Sequence, residues 1–204
     1  MSFYGLDFGT SNSSIAMAID GTARLIPIDA RAPNPAVASS VLFIERESGD
    51  AHIGAEAIQR FVARNAQREI VRQRVNTGKI VNTFYGDEWV QFDADVTQPG
   101  RFFQSLKSFL RDTTFEGTNV FGRWWTLEEL IASFLRTVKQ RADAFVGAET
   151  NAVVMGRPVH FSDDGARDDA AQARLLAAAR MAGFAEVRFL YEPIGAALSY
   201  EAEL

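Results

Sequence analysis

The 204-residue chain contains no cysteine, which excludes a disulfide framework and any thiolate metal site. Histidine is almost as scarce: with only His52 and His160, a zinc site would have to lean on carboxylates. The 21 basic residues are eighteen arginines and three lysines, Lys79, Lys107 and Lys139. No apolar run is long enough to cross a bilayer. The N-terminus lacks a basic segment and Asp7 breaks its apolar stretch, so no secretory signal is read there and the expected location is cytoplasmic. A net charge of −5 gives no general attraction to nucleic acid or to an anionic membrane, and neither is expected as a partner. Neither common phosphate loop occurs, G-x-G-x-x-G or G-x-x-x-x-G-K-[ST]. What remains is 47% apolar and 23% charged, an ordinary globular balance. That fits one large domain or two small ones with a real core.

The stretch Phe3 to Ile19 reads as two apolar strands joined by the loop Gly9-Thr10-Ser11-Asn12. Asp7 interrupts the first strand as it enters that loop, where a carboxylate is badly placed for packing and well placed to face a cation. Gly9 permits a tight turn, and Thr10, Ser11 and Asn12 present donors to one spot. Successive backbone N–H groups in a turn make an anion-binding concavity. A neighbouring carboxylate suits magnesium that keeps its waters and bridges to phosphate. A plain polar hairpin turn would use the same residue types.

Asp20-Gly21 is a strong hairpin pair and leads into a third strand, Thr22 to Ile28, so the chain opens with a three-stranded antiparallel meander. Ala32-Pro33-Asn34-Pro35 is an extended breaker. Short strands follow at Val41 to Glu45 and Ala51 to Ile53. Gly54 to Ala66 has helical periodicity. Arg60, Arg64, Arg68 and Arg72 recur every four residues, which predicts a solvated helix face. Residues 76 to 97 show no clear period and read as loop and weak strand. A helix is expected from Gln98-Pro99-Gly100 to Arg111, with Phe102, Phe103, Leu106, Phe109 and Leu110 on its apolar side, followed by an irregular insertion to Gly122. Thr126 and Glu129 form a capping box for a long helix that Gly147 stops. A buried strand (Asn151 to Met155), an alanine-rich helix (Asp164 to Ala182), a strand (Val187 to Leu190) and a last helix to about Glu201 complete the order. The fold class is therefore α/β, a mixed sheet with helices on it.

Pro193 suits the first position of the last helix, which places Glu192 at its positive end, directly after a strand. An acidic residue there stabilises any helix by ~0.3–1 kcal/mol. It acquires a second meaning because the inferred sheet puts this strand end on the same edge as Asp7.

Gly5-Leu6-Asp7-Phe8-Gly9-Thr10-Ser11-Asn12-Ser13 resembles the first phosphate loop of the seventy-kilodalton heat-shock chaperones of the DnaK type. Asn151 to Phe161 resembles their strand ending in a nucleotide-sensing proline, and Ala179 to Val187 continues the match. Tyr191-Glu192-Pro193-Ile194-Gly195-Ala196-Ala197-Leu198 looks like their first connecting motif. The resemblance implies the first lobe of an actin-like (ribonuclease-H-like) ATPase domain that binds ATP or ADP with Mg2+ and hydrolyses ATP, coupled in the parent to protein clients or co-chaperones. It implies that Asp7 holds water-coordinated magnesium and that Gly9, Thr10, Ser11 and Asn12 meet the phosphates. Glu192 would place the metal or the attacking water, and Pro158 would act as the switch. Ser105 to Arg111 resembles the segment that bears the family's catalytic lysine, which makes Lys107 the candidate. The core lobe would comprise residues 1–40 and 123–204, with an inserted α+β subdomain at 41–122. The second lobe would be missing, so this chain is expected to be a piece of a longer protein and inactive alone. The pattern departs at Arg157 (usually small and apolar), His160, Tyr191 and Ile194, as in a divergent member of the YegD type. Such departures leave a non-catalytic nucleotide-binding scaffold as the alternative. An actin-like or sugar-kinase-like relative is the other.

Overall fold

Alternation of apolar with small or charged residues builds the first strand. In the computed structural model, which describes residues 2–84 and 86–201, β1 (Tyr4–Phe8) buries Tyr4, Leu6 and Phe8 and leaves Gly5 and Asp7 on its open face. Residue 1 and residues 202–204, the ends of the expected core lobe, and residue 85 of the expected insertion lie outside the described residues. β2 (Asn12–Ile19) pairs antiparallel with β1, and β3 (Thr22–Leu25) with β2. Asp20 and Gly21 both take positive φ, 53° and 78°, as a two-residue hairpin turn requires. The opening meander is thus as expected. Its third strand is shorter, ending at Leu25 where Pro27 has no N–H to give. Ile26 still donates to the Ile15 carbonyl at 2.8 Å.

β4 (Val37–Ser39) returns to β2 beside the loop. β5 (Val41–Glu45) and β6 (Ala51–Ile53) lead into α1 (Gly54–Asn65). The arginine row is a correction: α1 ends at Asn65, so only Arg60 and Arg64 share its face. Both donate to the buried carboxylate of Glu45, at 3.0 and 3.3 Å, and Arg68 pairs with Asp95 instead. Residues expected to lack a period form a long antiparallel hairpin, β7 (Arg72–Thr83) with β8 (Gly86–Asp95).

The expected helix from 98 to 111 is not there. β9 (Gly100–Gln104) pairs antiparallel with β5, and only Leu106–Arg111 is helical, as a 3-10 turn. Strand pairing overrides the helical spacing because Gly100 passes so near β5 that a Cβ would stand 2.4 Å from the Phe43 ring. Phe102 then packs on Phe61, centroids 4.8 Å apart. β10 (Gly117–Val120) and β11 (Arg123–Thr126) make a small hairpin where an irregular stretch was expected.

α2 (Leu127–Val146) carries both bonds of its capping box, Glu129 N–H to Thr126 Oγ1 at 3.1 Å and Thr126 N–H to Glu129 Oε2 at 2.9 Å. β12 (Ala152–Arg157), α3 (Gly165–Met181), β13 (Glu186–Tyr191) and α4 (Glu192–Glu201) follow. The main sheet runs β13-β12-β1-β2-β3, with β1, β12 and β13 parallel and β4 attached to β2. One face packs on α2 and α3 through Leu6, Phe8, Ile15, Phe134, Leu175 and Ala178. Each Leu, Ile or Phe side chain among these contributes ~1.5–3 kcal/mol when fully buried. The other face carries Gly5, Asp7, Ser14, Ala16, Val154 and Gly156, too small to fill it. Among the described residues no helix is long and apolar enough to cross a membrane.

Candidate functional site

The parallel strands end together, so Asp7 near the end of β1, Arg157 at the end of β12 and Tyr191 at the end of β13 share one edge. Crevices beyond the carboxyl ends of parallel strands are where open α/β sheets bind ligands. Here a cleft of about 510 Å³ opens on the small-residue face, walled by Asp7, Ser14, Gly156, Glu192, Gly195 and Ala196 among others.

Glu192 enters it because β13 stops and α4 starts within one residue. Lys107 arrives from the other side. Ser105 takes a left-handed conformation (φ 57°), which turns the chain sharply from β9 into the 3-10 turn and swings Lys107 toward the sheet edge. A non-glycine residue held there costs ~1–3 kcal/mol, and such strain gathers at functional sites. Lys107 Nζ donates to Glu192 Oε1 at 2.6 Å, its side chain only 10% exposed. Asp7 completes the group. Its carboxyl is raised above the ordinary range because the cleft walls strip its water; the nearby Lys107 charge opposes that shift and the Glu192 charge adds to it.

The structure therefore brings Asp7, Lys107 and Glu192 together. Gly9, Thr10, Ser11 and Asn12 form the loop that follows β1, with Thr10 to Asn12 exposed. Gly9 N–H donates to the Asn12 carbonyl at 3.0 Å, and a Cβ on Gly9 would lie 2.2 Å from that oxygen, so only glycine closes this turn. Ser40 braces the loop, its N–H on the Ser11 carbonyl and its hydroxyl on that of Ser13, both at 2.8 Å. Pro158 follows β12 at the same edge, outside the residues that line the cleft.

Gly156 was not singled out in the sequence. A Cβ there would stand 3.4 Å from Glu192 Cγ and 3.9 Å from Asp7 Oδ1, so its missing side chain makes room between the two carboxylates. A glycine inside the strand pattern Val153-Val154-Met155-Gly156-Arg157 was the available signal. Among the described residues no three Asp, Glu or His side chains are grouped to ligate a metal directly. Two carboxylates at a cleft edge suit a hard divalent ion that keeps most of its waters.

A family model described as Hsp70 protein matches residues 3–203. Similar curated proteins include a chaperone protein dnaK1 of Parasynechococcus marenigrum, 27% identical over 96% of this chain and 26% of its own length. A chaperone protein HscA homolog of Ralstonia pickettii is 29% identical over 96% of this chain and 27% of its own. The chain thus spans about a quarter of the length of the curated relatives it matches.

Proposed function

This chain belongs to the Hsp70 family, and from that premise we propose that it forms the first lobe of an actin-like, ribonuclease-H-like ATPase domain. The domain binds ATP or ADP with Mg2+ in the cleft of Asp7, Lys107 and Glu192 and hydrolyses ATP. Residues 1–40 and 123–204 form the core of the lobe and residues 41–122 the inserted subdomain. A second lobe elsewhere in the protein closes over the nucleotide, and this chain alone turns over little. In the whole protein, hydrolysis is coupled to the binding of protein clients, in the cytoplasm.

Asp7 and Glu192 would hold the ion through its waters, and Mg2+ supplies charge neutralisation across the phosphates. The N–H and hydroxyl donors of Thr10, Ser11 and Asn12 bind the β- and γ-phosphates, with Gly9 closing the turn. Glu192 accepts from the attacking water and aims it in line with the leaving oxygen. Lys107 offsets the charge that develops on the γ-phosphoryl oxygens, so catalysis is positioning and electrostatics with no covalent step. Pro158, next to this edge, passes nucleotide state to the rest of the lobe.

The observation that carries this reading is the 2.6 Å approach of Lys107 to Glu192 beside Asp7, three residues drawn from distant segments to one cleft edge. The test compares the 204-residue chain with a longer polypeptide that includes the second lobe, titrated with Mg·ATP by calorimetry and followed for phosphate release. The longer form should bind and turn over, and Lys107→Ala should bind with release slowed about 10²–10³-fold. Equal release by wild type and Lys107→Ala would overturn the catalytic roles and leave a nucleotide-binding scaffold.

A further inference from the structure

We propose that Arg157 is a positioning residue that couples the loop carrying Pro158 to the strand end from which Glu192 enters the cleft. The inference rests on the proposed function for the meaning of Glu192, while the coupling itself is measurable without nucleotide.

Arg157 is 6% exposed at the end of β12, where the family resemblance calls for a small apolar residue. Taking a guanidinium out of water is costly unless its donors are all met. Here they are spent on two separate pieces of chain, and the face of the guanidinium meets a third. Nε donates to the Pro158 carbonyl at 3.0 Å and Nη2 to the Val159 carbonyl at 3.2 Å, so the fork grips the loop backbone. On the other side Nη2 reaches Asp168 at 2.7 Å, and Nη1 reaches Gln172, both on α3. Asp168 uses its second oxygen to accept from the Phe161 N–H at 2.6 Å. The loop from 158 to 161 is therefore held at both ends by one ion pair. The Asp168 carboxyl lies below the ordinary range, first because of its bond to Arg157 and then because of the Phe161 N–H.

The third piece is β13. The guanidinium carbon sits 5.1 Å from the Phe161 ring centroid and 5.4 Å from that of Tyr191. Tyr191 is the register partner of Arg157, and the next residue is Glu192. A planar cation that lies against two rings while its edge holds two carbonyls shifts only at the cost of those contacts. Lysine, a flexible point charge, could not take this place. A displacement of the Pro158 loop is thus carried through one side chain to the first residue of α4, and from there to Lys107.

With only three lysines in the chain, reductive 13C-dimethylation gives three lysine methyl signals besides that of the N-terminal amine. Lys107→Arg assigns the one of interest. Glu192→Gln sets the reference displacement of the Lys107 signal when its partner loses charge. Arg157→Met and Tyr191→Leu should each move the Lys107 signal in that same direction, and Tyr191→Phe, which keeps the ring, should leave it in place. The Lys139 signal reports the fold, because that ammonium is buried beside Asp143 at 2.7 Å. An unmoved Lys107 signal in Arg157→Met and Tyr191→Leu, with Lys139 also unmoved, overturns the proposal. So does a Lys107 signal indifferent to Glu192→Gln. Should Arg157→Met disturb Lys139, the half-exposed Tyr191→Leu decides alone. A coupling present in a protein that never binds Mg·ATP would sink the ATPase reading and spare this one. Binding and turnover without the coupling would do the reverse.

Discussion

Gly156 and Glu192 stand so close that a Cβ on the glycine would make ordinary van der Waals contact with Glu192 Cγ, at 3.4 Å. One methyl fits there and a branched side chain does not. In the longer polypeptide that includes the second lobe, Gly156→Ala should therefore fold and bind Mg·ATP, weakened by no more than about tenfold (~1.4 kcal/mol). Gly156→Val should fold with an unchanged circular dichroism spectrum and lose nucleotide binding in calorimetry. Tight binding by the valine variant would show that the space between the two carboxylates is not used.

Asp7 is expected to trade stability for function. Its carboxyl is raised in the folded chain by loss of water, so the ionised form is destabilised relative to the unfolded chain. A carboxyl with a raised folded pKa contributes stability below its unfolded value, ~3.9, and loses it as pH rises through the folded value. At neutral pH Asp7→Asn should melt higher than wild type, with the difference fading in acid below pH ~4. The same variant in the longer polypeptide should lose Mg2+-dependent nucleotide binding. A lower melting temperature at pH 7 would refute the assignment of strain to this group.

Tyr4 gives the alkaline counterpart. Burial first, and then its bond to Asp143 at 2.9 Å, pushes the phenol up to about 12. The stability it confers is complete below its unfolded value of ~10 and is lost as pH climbs toward the folded value. Tyr4→Phe should cost ~0.5–1.5 kcal/mol at neutral pH in urea unfolding, the worth of one hydrogen bond. It should also flatten the stability profile between pH ~10 and ~12. An identical alkaline profile in both proteins would assign that loss to other groups.

Thr126 supplies half of the reciprocal cap on α2, the helix under the sheet. Thr126→Ala should cost ~1 kcal/mol and Thr126→Ser almost nothing, read as urea midpoints at constant slope. Equal losses in the two variants would place the cost in packing and not in the cap.

Local chemistry was readable in the amino-acid order, and distant pairing was not. The places of Asp7, the Gly9 turn and Glu192 were legible because each depends on the residues beside it: a strand end, a tight turn, a Glu-Pro helix start. The cap on α2 was legible for the same reason. Residues 98–111 were misleading because Phe102, Leu106, Phe109 and Leu110 fall at helical spacing, while the deciding contact, Gly100 against Phe43, lies far away in sequence. The hairpin of β7 and β8 lacks strict alternation, since a bulge between Asn76 and Ile80 shifts its register. Lys107 stood out only through resemblance, because the left-handed Ser105 that aims it leaves no mark on hydrophobic spacing. Arg157 showed as a departure from pattern, and only the fold joins it to Asp168, Phe161 and Tyr191.

The cleft draws Asp7 from the first strand and Glu192 from the last described helix, with Lys107 reaching across from between them. Such a site has no precursor. While the chain emerges during synthesis, the β1–β2 hairpin can form early, yet the pocket wall stays absent until β12 and β13 have joined β1. A chain stalled short of α4 keeps Asp7 but has no Glu192 to meet Lys107, so the three charges come together only once folding is complete. The same arrangement ties the persistence of the charge cluster to both ends of the sheet, because loss of either β1 or β13 removes Asp7 or the support of Glu192 and leaves Lys107 with an incomplete set of partners.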